Sequence, residues 1–387
     1  MAASVRSGLL FVNSHIGRPG NIGLRTPHVL AALARRGIAT TTWARGRHPG
    51  AAPGHTVHGM GLLGHLPRIL NGVRIYLLPS YPHRVHDLRL FSWFCARGLR
   101  AAGARGPGTV AHVWDSCPAL IRSLQQRGIP VVLDVPIAPG TYAQRLGAER
   151  TGCPLVAVPS VVALELEAMA LADRLVAPSE FVAEELRRAG VDAGKIRVVE
   201  FGSPAPRPAP PRAPRPEGRV DFCFLGTVNR RKGIPELLTA WNDPAFQTDR
   251  LHLCGRVFPD IRPALAAARG GQVLTPGFVD SGGYLPDCDV FVFPTWLEGS
   301  AKAVYEAMAA GLPVITTPAA GSVVRDGVDG FLVPVGDAAA LRERMRQLRA
   351  DPGLRRRLGE SARERAGVFT WERYGERVAD AYDGLGA

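Results

Sequence analysis

The chain has 387 residues, 46% of them hydrophobic, with 47 Lys and Arg against 34 Asp and Glu and a formal net charge of +13. That length predicts about two domains, each with enough apolar content for its own core, and no apolar run approaches a membrane span. The positive charge is almost all arginine and is dispersed, with lysine only at Lys195, Lys232 and Lys302; without a clustered basic-aromatic arm this argues against nucleic acid as a partner and leaves anionic small molecules or a membrane surface. Six cysteines, at 95, 117, 153, 223, 254 and 288, form no CxxC pair. Neither a zinc site nor a disulfide framework is expected, and a reducing, cytoplasmic compartment fits.

In chain order, "GLLFV" reads as a first strand, being too short for a signal-peptide core. "GRPGNIG" (17–23) follows, where Gly20 and Gly23 permit close approach of backbone to a ligand. It is not a GxGxxG, so a nicotinamide site is a weak reading. "TPHVLAALARRG" predicts a helix with Thr26 as N-cap, Pro27 at the first helical position and Gly37 as the stop. Further strands are "IATTTW", "TVAHV", "PVVLDV", "RLVAP" and "IRVVE". "VHDLRLFSWFCARGLRAAG" predicts a helix with Leu88, Phe91, Cys95 and Leu99 on one stripe and Arg89, Trp93, Arg97 and Arg100 on the other. That pattern is a half-buried helix or, as the sharper alternative, a membrane-surface helix. "PSEFVAEELRRAG" predicts a helix from Ser179 to Gly190.

The proline-rich segment 202–218 forbids helix and central strand and reads as an interdomain linker. Beyond it, "VDFCFLG", "RLHLCG", "DVFVFP", "PVITT" and "GFLVP" are strands, and "KGIPELLTAW" is a helix opening on Pro235. Continuous Val/Ile/Leu/Phe runs separated by helical stretches indicate parallel sheets covered on both faces. The fold class is therefore α/β, two Rossmann-like doubly wound domains facing across a cleft. "DCD" at 287–289 mimics a metal-binding DxD but precedes a strand, away from the ligand edge.

In doubly wound domains ligands bind beyond the carboxyl ends of the strands. There "EGSAKAVYE" follows "DVFVFPTWL", with Glu298 before a helix, Ser300 as its expected N-cap and Glu306 inside it. At 1.5 Å per helical residue the two carboxylates stand about 10 Å apart. The first helical turn between them offers free N–H groups to an anion. A ligand with a central diphosphate and hydroxyl-rich groups at both ends, such as a nucleotide sugar, has that shape. In "FLGTVNRRKGIPELL" (224–238) a strand ends at Gly226, and Arg231 and Lys232 precede a helix. Arg supplies a fork for phosphate and Lys a point charge.

The stretch "EGSAKAVYEAMAAGLPVITTPAAGSVVRDGVDGFLVP" resembles the E-x7-E signature of retaining glycosyltransferases of family 4, which have the GT-B fold. "FLGTVNRRKGIPELL", "ADRLVAPSEF", "KIRVVEFG" and "FTWERYGERVADAY" resemble further landmarks of that family. The likeness covers most of 110–385 and is thin over 40–108. It implies that Glu298 holds sugar hydroxyls of the donor, Glu306 the ribose, and Arg231 and Lys232 the departing diphosphate. It also implies that Gly226, Thr227 and backbone at Gly299, Ser300, Ala301, Lys302 and Ala303 touch the donor, that the turn from Gly277 through Phe278 to Val279 frames the nucleobase, and that the loop with Gly20 and Gly23 lies near the donor phosphates and the acceptor. Two positions depart from the family pattern. Thr227 stands where many members have Arg, and His112 stands near, with Trp114 on, the position of a histidine beside the sugar.

The domains so implied are an N-terminal acceptor domain at 1–201, the linker at 202–218, a donor domain at 219–368, and a C-terminal helix at 369–387 crossing back to the first domain. The expected activity is a metal-independent, cofactor-free, retaining transfer of a hexose from a UDP- or GDP-hexose to an acceptor hydroxyl. The pathway stays open among secondary metabolites of the aminoglycoside type, polysaccharide and glycolipid, as do the oligomeric state and peripheral membrane contact. A nucleotide-sugar epimerase on the same fold and a non-catalytic nucleotide-sugar binding protein are the rivals.

Overall fold

A computed structural model describes residues 5–16, 21–47, 56–61, 83–101, 107–205 and 218–386. Gly20 and most of the proline-rich segment 202–218 lie outside the described residues. These form two compact units, the first holding the chain up to Arg145, Val156–Val199 and the end from Trp371, the second holding Leu146–Leu155 and Glu200–Thr370.

The first unit runs β1 (Ser7–Ile16), α1 (Asn21–Arg35), β2 (Ala39–Arg47), β3 (Thr56–Gly59), α2 (His83–Ala101), β4 (Thr109–Trp114), α3 (Pro118–Gln125), β5 (Val131–Asp134), α4 (Gly140–Glu149, across the unit boundary), α5 (Pro159–Leu171), β6 (Arg174–Ala177), α6 (Glu180–Arg188) and β7 (Ile196–Val198). Its sheet has the order β3-β2-β1-β4-β5-β6-β7, with every pairing parallel. Leu10, Phe11, Val12, Val110, Ala111 and Val113 have no exposure, as a sheet covered on both faces requires. The expected start of α1 is corrected. The helix begins at Asn21, so Pro27 lies inside it, and the Thr26 hydroxyl donates back to Ile22 O at 2.9 Å instead of capping.

The second unit runs β8 (Asp221–Leu225), α7 (Ile234–Trp241), β9 (Arg250–Cys254), α8 (Arg262–Ala266), β10 (Gln272–Gly277), α9 (Ser281–Tyr284), β11 (Val290–Phe293), α10 (Lys302–Ala309), β12 (Val314–Thr316), β13 (Gly330–Leu332), α11 (Ala338–Ala350) and α12 (Pro352–Val368). Its sheet order is β10-β9-β8-β11-β12-β13, again with parallel pairings. The order reverses between β8 and β11. Loops leaving these neighbouring strands at their carboxyl ends therefore diverge and open a crevice, the usual ligand position in such sheets.

The last helix, α13 (Trp371–Asp380), packs within the first unit. A Cβ at Gly375 would lie 2.3 Å from His28 O, so only glycine lets α13 approach α1 this closely. Trp371 stacks on His28 with ring centroids 5.0 Å apart. Among the described residues no helix is long and apolar enough to cross a membrane.

Candidate functional site

The site in the second unit is built from the two loops flanking the strand reversal. After β8, Gly226 (φ 147°) turns the chain out, and its N–H donates to Cys254 O at 2.9 Å. Thr227 follows, half-buried. A single 3-10 turn, Arg230–Lys232, comes next, its amide at Lys232 bonded to the Asn229 side chain. Gly233 ends the turn in the left-handed region (φ 73°), and a Cβ there would sit 2.0 Å from Pro294 O. That close approach brings the turn against the loop leaving β11. Two bonds fasten it, from Trp296 N to Arg231 O at 2.9 Å and from the Thr295 hydroxyl to Arg231 O at 3.2 Å.

The contact delivers two cations to one carboxylate oxygen. Lys232 Nζ lies 2.5 Å and Arg231 Nη1 2.6 Å from Glu298 Oε1, and Arg231 also donates to Leu297 O at 2.5 Å. Charge-assisted bonds of this kind fix orientation as well as supplying energy. Lys232 is buried and lies 4.8 Å from the Phe293 ring centroid. Burial pushes its ammonium below the ordinary lysine range; Glu298 opposes that shift and Arg231 adds to it. Glu298 Oε2 makes no hydrogen bond among the described residues, and the side chain is 17% exposed, which leaves one oxygen facing outward for a hydroxyl donor.

Glu298 N–H donates to Ala319 O at 2.8 Å and Ala301 N–H to Ala320 O at 2.9 Å, so the loop carrying Gly299 and Ser300 is pinned across the sheet edge. The expected N-cap is corrected. Ala301 occupies that position without a side-chain bond, and the buried Ser300 hydroxyl donates to the Tyr305 hydroxyl at 3.0 Å. The first turn of α10, Lys302 and Ala303, keeps the unpaired N–H groups common to helix starts.

Glu306, one turn further on, pairs with Lys302 Nζ through Oε1 at 2.8 Å. It lines a cavity of about 170 Å³ with Asp280, Ser281, Pro204, Ala205 and Ala310. Asp280, at the cavity wall, directly follows Phe278 and Val279 of the expected nucleobase turn, which do not themselves line it. The Phe278 ring is 88% exposed. Among the described residues no cluster of three or more His, Cys, Asp or Glu could hold a metal ion.

The residues named in the first unit are differently placed. Gly23 is buried in the first turn of α1. His112 has no exposure. It stacks on Trp114 with centroids 3.8 Å apart, and its Nδ1 lies 3.0 Å from the Tyr382 hydroxyl. Beside it, Arg25 donates to both oxygens of Asp134 at 2.9 Å and to the Tyr374 hydroxyl at 2.8 Å. Burial, with Arg25 nearby, lowers the His112 pKa to about 3. His112 thus joins β4 to the C-terminal segment through Tyr382, while its Nε2 is buried without a hydrogen-bond partner, 3.9 Å from Asp134 Oδ2. Asn229, Gly233, Pro294 and Trp296 shape the loops around Glu298 without having been named as site residues. Only Gly233, next to Lys232 at a strand-to-helix turn, carried a readable signal.

Residues 20–202 match the family described as glycosyl transferase 4-like domain, and residues 219–351 match glycosyl transferases group 1. The chain is a glycosyl transferase 4-like domain followed by a group 1 glycosyl transferase domain. Its fold is GT-B, like sucrose-phosphate synthase from Thermosynechococcus elongatus (TM-score 0.71, 20% identity, 97% of this chain and 98% of that one). Anabaena HepE in complex with UDP and glucose is also similar (TM-score 0.65, 14% identity, 97% and 98%). In sequence, the chain is 30% identical over 251 residues to D-inositol 3-phosphate glycosyltransferase of Streptomyces bingchenggensis, covering 56% of this chain and 54% of that protein. The chain thus spans about half the length of that curated relative. The Glu298 and Glu306 constellation lies within the part of this GT-B chain that matches the group 1 domain.

Proposed function

We propose that this chain is a retaining glycosyltransferase that moves a hexose from a UDP- or GDP-linked donor to an acceptor hydroxyl. The observation that carries the reading is the pair of cations on Glu298 at the strand reversal, with Glu306 lining a cavity beyond it. In this reading Lys232 and Arg231 face the diphosphate, Glu298 Oε2 accepts from a sugar hydroxyl, and Glu306 accepts from the ribose. The HepE complex with UDP and glucose supports such a ligand on this fold.

The bond from the anomeric carbon to the diphosphate oxygen breaks while the acceptor oxygen bonds to that carbon on the same face. The acceptor proton passes to a phosphate oxygen, so the products are the glycoside and the nucleoside diphosphate. The protein's contribution is positioning and stabilisation of charge on the departing diphosphate. Lys232 and Arg231 supply the positive charge a metal would otherwise bring, so the reaction runs without one. None of the six cysteines is in a disulfide, which suits a reducing cytoplasmic setting.

Isothermal titration with UDP-glucose and GDP-mannose, and with UDP and GDP alone, tests the donor site. One nucleotide family binds, and Glu306→Gln weakens the bare nucleotide roughly tenfold or more, as loss of a charged hydrogen-bond acceptor implies. Unchanged nucleotide affinity in folded Glu306→Gln removes Glu306 from this role.

A further inference from the structure

Helix α12 turns two faces toward the second unit. Leu354, Leu358, Ala362 and Ala366 are buried on one. On the other, Arg355, Arg356, Glu360 and Arg363 line a cavity of about 340 Å³ with Asp289, Gly311, Leu312 and Pro313. An ordinary amphipathic helix presents apolar side chains to the fold and charge to water; here Arg356 and Glu360 are exposed at the cavity rim, while Arg355 and Arg363 are half-buried in it.

The packing enforces this. A Cβ at Gly359 would lie 2.2 Å from Gly311 O, and a Cβ at Gly311 (φ 79°) would lie 2.4 Å from Arg363 Nη2. Two glycines therefore bring the helix against the 311–313 loop, with Arg356 and Arg363 about one turn to either side of the crossing. Asp289 immediately precedes β11 and Pro313 immediately precedes β12. The cavity is thus at the amino edge of the strands, whereas Glu298 follows β11 at the carboxyl edge.

The charges in it are only partly engaged, and Asp289 accepts from the Asp221 N–H at 2.8 Å. Arg363 Nη2 donates to Ala310 O at 3.1 Å, but its Nε is buried without a hydrogen-bond partner. Arg356 and Glu360 make no hydrogen bond or ion pair among the described residues, although helical spacing places Glu360 next to both arginines. Arg355 is engaged, donating to Leu348 O at 2.6 Å and Arg349 O at 2.9 Å. Guanidinium forks match phosphate oxygens, and a carboxylate accepts from hydroxyls.

We propose that this cavity is a second ligand site, taking a small hydroxylated phosphate monoester such as a sugar phosphate, with Arg356 and Arg363 on the phosphate and Glu360 on a hydroxyl. It is separate from the nucleotide-sugar site and does not depend on the reading of that site.

Isothermal titration with glucose 6-phosphate tests it, with inorganic phosphate and glucose as separate arms. Wild type and Lys232→Ala bind glucose 6-phosphate equally. Arg356→Ala and Arg363→Gln each weaken it roughly tenfold or more, as loss of a charge-assisted contact implies. Inorganic phosphate binds more weakly than the monoester, and glucose gives no heat. Arg356 is exposed, so its variant keeps the fold even where Arg363→Gln loosens the helix contact. Absence of binding at millimolar glucose 6-phosphate, unchanged affinity in Arg356→Ala, or loss of binding in Lys232→Ala overturns the proposal. Inorganic phosphate binding as tightly as the monoester overturns the hydroxyl contact.

Discussion

Gly233→Ala probes how the site is assembled. Two costs follow from its geometry. At φ 73° an L side chain pays the left-handed penalty of about 1–2 kcal/mol. The added methyl would also stand 2.0 Å from Pro294 O, so ordinary contact at about 3.5 Å requires a shift of roughly 1.5 Å. Both neighbouring loops are bonded across this point, so the shift falls on Arg231, Lys232 and Glu298 together. Displacement of about 1 Å can lower a rate on the order of a hundredfold, and about 2 kcal/mol lowers the melting temperature by roughly 4–8 °C in a domain of this size. Gly327→Ala is the control, because Gly327 has φ 70° but nothing within 4 Å of an added Cβ. It keeps the conformational penalty without the clash. Thermal unfolding and nucleotide-sugar turnover are measured on both. If Gly233→Ala retains wild-type turnover, or if Gly327→Ala loses as much, the contact with Pro294 does not position the site.

The buried His112 makes stability depend on pH. Its folded pKa of about 3 lies below the unfolded value of about 6.5, so as pH falls the unfolded chain takes up a proton that the folded chain refuses, and stability drops. Between pH 7.5 and 5.5 this amounts to on the order of 1 kcal/mol; denaturant unfolding at the two values should show that much less pH dependence in His112→Gln, and an unchanged difference refutes the burial argument. On the proposed reading, in which Arg231 and Lys232 face the diphosphate, transfer should survive excess EDTA; complete loss restored by Mn²⁺ contradicts this.

The central strands were legible because they are unbroken apolar runs. "DVFVFP" and "TVAHV" are short, β-branched and aromatic-rich apolar runs, the pattern of strands buried on both faces. The missed strands are β3 and β10, the terminal members of their sheets. β3 is largely exposed and β10 carries Pro276 within a half-exposed run, so neither has the apolar signature. The N-cap at Ser300 misled because local sequence favours it, while the structure uses that hydroxyl on Tyr305. Glu298, Arg231 and Lys232 were each picked out from the sequence as candidates. Their direct pairing was not, since it depends on β8 and β11 becoming neighbours at the strand reversal. His112 was read for its proximity to a family position, but its environment is set by Arg25, Asp134 and Tyr382, distant in sequence.

Turnover of Lys232→Ala tests the central claim most directly. In the proposed reading the Lys232 ammonium meets the diphosphate, whose charge grows as the glycosidic bond breaks, so its loss should fall on the chemical step more than on ground-state binding. Release of nucleoside diphosphate from the nucleotide sugar that binds is measured for wild type, Lys232→Ala, Lys232→Arg and Lys195→Ala, with folding checked by circular dichroism. Lys195 Nζ donates to Ala172 O at 3.0 Å in the first unit, away from the proposed donor loops. The account predicts a kcat about a hundredfold lower in Lys232→Ala, a smaller change in donor KM, partial rescue by arginine and little effect of Lys195→Ala. A near-normal kcat in folded Lys232→Ala contradicts it.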